Sequence, residues 1–126
     1  MLFLLYKIMQ TKKEFEEFIE NLKQASKEKI VLVEGKKDKK ALESFGVKNI
    51  ITLKKPLYAV IEDIVEAKKE CILLLDLDKK GKELYARISS KLKQFGVKVD
   101  DSFREFLFKT RLRQIEGMNT YFEKLT

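Results

Sequence analysis

The sequence predicts an α/β fold in which a central, mostly parallel four-stranded sheet is flanked by helices. Three observations carry this. Ile30-Val31-Leu32-Val33 and Cys71-Ile72-Leu73-Leu74-Leu75 are short, unbroken apolar runs of the kind that form strands buried on both faces. Between such runs lie stretches with helical apolar spacing, long enough to serve as crossovers. Strand and helix alternate along the chain, and parallel strands joined by right-handed helical crossovers give a layered, Rossmann-like architecture.

Each element has its own signal. Thr11-Lys12-Lys13-Glu14 has the form of a capping box, which places a helix start there, and Phe15, Phe18, Ile19 and Leu22 then recur on one face. The first strand is expected from Lys29 to Val33, ending at Glu34-Gly35. Helical spacing resumes from Asp38 to Phe45 and stops at Gly46, a natural left-handed terminator. A second strand is expected from Asn49 to Leu53, and Pro56 suits the first turn of a helix from Leu57 to about Lys69. Cys71 to Leu75 reads as the central strand and leads into Asp76-Leu77-Asp78. A helix is expected after Gly81 as far as Phe95, then Gly96 and a short fourth strand, Val97 to Val99. Ser102 and Glu105 make a second capping box ahead of Phe103, Phe106 and Leu107, and Gly117 precedes a last helix holding Met118, Phe122 and Leu125. The expected organisation is a single domain over residues 1–126, with a core at about 29–99, a helical arm at about 1–28 and a helical tail at about 101–126.

The apolar start, Met1 to Met9, is interrupted by Lys7, has no basic segment before it and no small-residue cleavage site after it, which argues against a signal peptide. It is also too short to span a bilayer. An arm packing on the domain or on a partner, another copy included, and an extension ahead of a start at Met9 are both open readings.

Hydrophobic residues make up 44% of the 126 residues and charged residues 37%, a soluble globular composition with no call for a membrane. A lone Cys71 and the absence of histidine exclude an internal disulfide, ordinary structural zinc sites, and Ser-His-Asp or Cys-His catalysis. Chemistry here must rest on carboxylates, lysines, hydroxyls or a metal, and the cytoplasm is the expected location. A net charge of +7 and a pI of 9.4 favour polyanionic partners such as nucleic acid. A heat-adapted surface rich in Lys and Glu accounts for the number of charges but not for their sign.

Ligands of open parallel sheets bind beyond the carboxyl ends of the strands. Two of those ends are acidic: Glu34 after the first strand, and Asp76 with Asp78 after the third. Side chains alternate along an extended chain, so Asp76 and Asp78 point the same way while Leu77 turns into the core. If the first and third strands are neighbours, about 4.8 Å apart, Glu34 reaches the same ion. An oxygen-only cluster suits Mg²⁺ or Mn²⁺ working on a phosphate, with Glu34 as proton carrier. The bland reading of an Asp-x-Asp is a helix cap or a solvated loop.

Val33-Glu34-Gly35-Lys36-Lys37-Asp38 followed by Ala41-Leu42 resembles the glutamate motif of toprim domains. Leu75-Asp76-Leu77-Asp78 followed by Gly81 resembles their aspartate motif, and the two together are far more specific than either alone. The resemblance covers about Lys29 to Val99. Toprim domains occur in type IA and type II topoisomerases, bacterial-type primases, recombination proteins, OLD-family nucleases and the ribonuclease that matures 5S ribosomal RNA. The resemblance implies that Glu34 is a general acid/base or metal ligand, that Asp76 and Asp78 bind magnesium, and that Asp38 is the motif's second acid, a position that equally suits a helix cap. Tyr6, Tyr58, Tyr85 and Tyr121 lack the context of a topoisomerase nucleophile, and no primase zinc module is present. The chain is most similar to small standalone toprim proteins of archaea and bacteria called primase-like. Asp76-Leu77-Asp78 is also similar to the first motif of haloacid-dehalogenase phosphatases, but Lys80 stands where those carry a hydroxyl or Val.

Lysines cluster at the strand ends, with Lys36, Lys37, Lys39 and Lys40 after the first, Lys54 and Lys55 after the second, and Lys79, Lys80 and Lys82 after the third. They either ring the acidic centre and hold phosphates or form a solvated surface. Arg104, Arg111 and Arg113 lie in the tail among Phe103, Phe106 and Phe108, where arginines can bind phosphate and aromatics either stack on bases or pack in the core. The expected function is magnesium-dependent, nuclease-like or primase-related processing of nucleic-acid phosphodiesters; the alternative is a non-catalytic module that binds metal and DNA or RNA within a larger assembly.

Overall fold

Four apolar segments pair into one sheet in a computed structural model that describes residues 2–125, with side chains described from Lys12 onward. The strands are β1 (Ile30–Val33), β2 (Ile50–Thr52), β3 (Cys71–Leu73) and β4 (Val99–Asp100), in the order β2-β1-β3-β4. Every pairing is parallel, so the sheet is wholly rather than mostly parallel. Beside the strands stand α1 (Leu2–Ala25), α2 (Lys36–Ser44), α3 (Leu57–Ala67), α4 (Lys79–Gln94), α5 (Ser102–Phe108), a 3-10 turn (Ile115–Gly117) and α6 (Met118–Lys124).

Alternation along the strands divides the core into two layers. Val31, Val33, Ile72 and Leu74 face Phe15, Phe18 and Leu22 of α1, Leu42 of α2, and Leu107, Ile115 and Met118 of the tail. Leu32, Leu73 and Leu75 face the opposite way, onto Val60, Ile61 and Ile64 of α3 and Ile88 and Leu92 of α4. Leu74 and Leu75 lie just past the last ladder residue but stay fully buried, and the N–H of Leu74 donates to the Leu32 carbonyl at 2.9 Å.

Several boundaries differ from the sequence reading for local physical reasons. The helix of α1 passes straight through Thr11 instead of starting there, because Leu2 to Gln10 contains neither Gly nor Pro and nothing stops the backbone continuing. How the apolar residues before Lys12 pack lies outside the described residues. Pro56 is the residue before α3 and not within its first turn. Val97 belongs to the exit of α4, where its N–H closes on the Leu92 carbonyl around Gly96 at φ 81°, so β4 begins two residues later. The same closure links Val47 to Leu42 around Gly46. Ser102 is the first residue of α5, and its N–H and hydroxyl both donate to Asp100.

The tail aromatics are mainly core. Phe106 stacks on Phe18 with ring centres 4.6 Å apart, and Phe103 meets Phe18 edge-on at 5.9 Å. Phe108 is the exception, on the exposed side of α5.

α4 starts at Lys79, two residues before Gly81, which is the position where only glycine fits. A Cβ there would lie 1.9 Å from the Asp76 carbonyl oxygen, so the first turn of α4 rests directly on the strand end that carries the aspartates. Backbone atoms cannot swing aside as a flexible side chain would. Gly81→Ala is therefore expected to destabilise the protein by about 2 kcal/mol net, an overpacking cost that exceeds the helical gain from alanine. Urea unfolding checks this, and an unchanged midpoint would show that the two backbones separate freely.

Candidate metal centre

Glu34 follows the last residue of β1, and Asp76 follows the buried extension of β3. Because β1 and β3 are paired in parallel, with Leu32 opposite Leu73, both acids emerge from the same end of the sheet. Asp38 enters from the first turn of α2. One carboxylate oxygen from each of Glu34, Asp38 and Asp76 lies within 4.8 Å of the others; Asp38 is buried, and Glu34 and Asp76 are partly so.

Backbone donors hold two of the three. Asp38 accepts the Gly35 N–H at 2.9 Å, so the helix-end role and the cluster position coincide in one side chain. Asp76 Oδ1 accepts the N–H of Ile115 at 3.0 Å, and the N–H of Glu116 lies close enough to Asp38 to favour its charged form. The opening of the 3-10 turn thus points successive N–H groups at the cluster. Leu77 is buried as expected, and its N–H donates to the Arg113 carbonyl at 2.7 Å.

Asp78 is placed differently from Asp76. Its Oδ1 accepts the Gly81 N–H at 2.8 Å and caps α4, and it is not one of the three converging carboxylates. It nevertheless lines the same cavity of about 420 Å³ as Glu34, Asp76, Lys80 and Gln114. Lys36, Lys37, Lys54 and Lys79 are exposed, and Lys80 is the lysine that lines it. Lys55 pairs with Asp63 of α3 at 2.9 Å. Arg111 and Arg113 are exposed, and Arg113 donates to the carbonyls of its neighbours Thr110 and Leu112.

Electrostatically the cluster is short of positive charge. Burial pushes the Glu34 carboxyl up to about 7, aided by its hydrogen bond to Asp76 and by the charges of Asp76, Asp38 and Asp78. Asp38 is also raised, chiefly by burial, against the opposing pull of the Gly35 N–H. Among the described residues no lysine or arginine forms an ion pair with any of the three. Clustered carboxylate oxygens with no direct counter-charge are the donor set of a hard divalent cation, and the residues present fit one.

The sequence reading groups Arg104 with Arg111 and Arg113 as an arginine open to phosphate, but the structure buries it behind the site. It is 3% exposed, and its guanidinium donates to the Leu75 carbonyl and, at 3.1 Å, to the Asp76 carbonyl. The rings of Tyr85 and Phe108 lie 4.5 and 5.0 Å from its Cζ. Burial draws its pKa down, while Tyr85, Glu34, Asp76 and Asp78 push it back up. The available signal was its spacing: Arg104 and Leu107 share the core-facing side of α5.

An all-parallel sheet with an acidic cluster at the carboxyl ends of two adjacent strands defines an α/β domain of the metal-binding kind. Residues 28–101 match the toprim domain family, and the chain belongs to it. It is 37% identical over 114 residues to a UPF0292 protein of Methanocaldococcus jannaschii, covering 86% of this chain and 89% of that one. A UPF0292 protein of Pyrococcus horikoshii is 30% identical over 111 residues, covering 87% and 83%. The solved structure of a protein from Aquifex aeolicus superposes with a TM-score of 0.75 at 45% identity, over 80% of this chain and 94% of that one. Arg104 and Ile115 lie beyond the family-matched segment, so the tail adds its own groups to the site. Among the described residues no helix is long and apolar enough to cross a membrane.

Two measurements follow from these charges. The folded-state value of Glu34 lies above its ordinary 4.5, so between there and about 7 the folded protein holds a proton that the unfolded chain releases. This group's contribution to stability is full below that window and lost as pH rises through it. The melting temperature of metal-free Glu34→Gln minus that of wild type should therefore be larger at pH 8 than at pH 4.5, and a pH-independent difference would refute the shift. Arg104→Met leaves two carbonyls without their donor and should cost about 2 kcal/mol. It should also raise the Glu34 titration midpoint further, as read by carboxyl-carbon NMR.

Proposed function

We propose that this toprim-domain protein is a divalent-metal-dependent enzyme acting on nucleic-acid phosphodiesters, nuclease-like or primase-related in its chemistry. The observation that carries the reading is the convergence of Glu34, Asp38 and Asp76 at the carboxyl end of the sheet. Asp76 and Asp38 would hold Mg²⁺ or Mn²⁺, with Asp78 beside them and Glu34 completing the oxygen set. A bound ion supplies Lewis-acid stabilisation of the charge that builds on phosphate oxygens.

The chain's own groups do the rest. Glu34, moved toward neutrality by burial and by its acidic neighbours, suits the transfer of a proton from an attacking hydroxyl or to a leaving oxygen. No histidine is present to take that part. Lys80 lines the cavity and would hold the strand by its phosphates without reading sequence, joined by the exposed Lys36, Lys37, Lys54 and Lys79 that follow the strand ends in sequence. Arg111 and Arg113, exposed in the tail, would add phosphate contacts, and Lys55, shared with Asp63, would contribute less.

Calorimetric titration with Mg²⁺ and Mn²⁺, joined to a panel of single-stranded, duplex and structured DNA and RNA, tests the proposal. Wild type should bind metal and cleave at least one substrate. Asp76→Asn should weaken metal binding about tenfold or more, which corresponds to ~1.4 kcal/mol. Glu34→Gln should slow turnover by about 10²-fold or more. Undiminished turnover in Glu34→Gln would remove its catalytic assignment, and salt-sensitive binding with no turnover on any substrate would make the protein a non-catalytic module.

A further inference from the structure

The outer side of α3 and α4, on the sheet face opposite α1, carries an apolar groove of about 610 Å³. Tyr58, Ile61 and Val65 of α3 line it together with Phe95 at the end of α4, while Glu62 and Glu66 edge it on one side and Lys91 on the other. Tyr58 is 72% exposed and Phe95 57%, two of the three large hydrophobic side chains left in solvent among the described residues. Single exposed apolar residues are ordinary, but two aromatics on one continuous groove are the mark of an interface.

The charge pattern identifies the occupant. On the groove α3 presents Glu62 and Glu66, whereas α4 presents Lys91, with exposed Arg87 one turn before it on the same side of the helix. A nucleic acid, or a peptide of one sign, would match one edge and be repelled by the other. A second copy of the chain matches both edges at once, which is the self-complementarity that a two-fold interface demands.

We propose that this groove is a homodimer interface in which α3 of each copy lies on α4 of the other. The charges also select the axis. A two-fold running across the helices would set α3 on α3, acid against acid; a two-fold running along them sets the acidic helix on the basic one. Both helices are crossovers between parallel strands and run back against the strand direction. Rotation about an axis along them preserves that direction, so the carboxyl ends of both sheets lie at the same end of the dimer. On the function proposed above, two acidic centres would then face one nucleic acid.

Light scattering and sedimentation equilibrium on the full chain test the interface without reference to metal, substrate or activity. Wild type should sediment at twice the 14.8 kDa chain mass. Tyr58→Glu combined with Phe95→Glu should give the single-chain mass with a cooperative melting transition whose midpoint no longer depends on protein concentration, since both side chains are exposed and the fold is retained. Glu62→Lys with Glu66→Lys, and separately Arg87→Glu with Lys91→Glu, should each weaken self-association by about tenfold or more, and mixing the two charge-reversed proteins should restore a dimer. Wild type at the single-chain mass up to about 100 µM, a dimer that survives Tyr58→Glu with Phe95→Glu, or charge-reversed proteins that fail to pair on mixing would each overturn the proposal. Loss of the dimer leaves the acidic centre and its chemistry standing, and absence of turnover leaves the dimer standing.

Discussion

Parallel pairing of β1 with β3 is the constraint on which the rest of the molecule depends. These strands are separated in sequence by α2, β2 and α3, and their adjacency sets Glu34 beside Asp76 and opens the sheet into halves that wind in opposite senses. The ladder is short, and burial supports it. The residues of β1 and the run from Cys71 to Leu75 are almost wholly shielded from solvent, so shifting the register by one residue would exchange the side chains of the two core layers. The position of the acids is therefore fixed by hydrophobic packing several residues away from them.

Bringing like charges together opposes folding, and the protein answers with dipoles and one remote cation instead of ion pairs. Backbone N–H groups of Gly35 and Ile115 reach Asp38 and Asp76, and Arg104 binds the carbonyls behind Asp76 from within the core. An arginine in direct contact with the carboxylates would occupy the oxygens that face the cavity. From its actual place it moderates the potential and leaves those oxygens open. Tyr85 and Phe108 hold the guanidinium where it has lost most of its water.

The sheet was readable in the sequence because its strands are unbroken apolar runs and the helices between them end at Gly46 and Gly96, both of which adopt positive φ. Glu34 and Asp76 were readable because they stand at strand ends, where topology alone brings them to one edge. The start of α1 was misread because a capping pattern has force only where the preceding backbone is prevented from being helical. The buried place of Arg104 and the 3-10 turn were missed for another reason. A buried arginine resembles a surface one in composition, and the donors of Ile115 and Glu116 are main-chain groups that no residue type announces.

The cluster draws on the chain from one side of the molecule to the other: Glu34 and Asp38 from its first third, Asp76 from its middle, and Arg104 and Ile115 from its last quarter. A ribosome delivers those parts in that order. When Asp76 emerges, the three acids and the Gly35 N–H are in hand, yet Arg104 and Ile115 have still to be made. The finished centre is thus a product of chain completion. A truncated toprim core, even one that preserved every strand, would keep the acids and the Gly35 N–H but lose Arg104 and the N–H of Ile115.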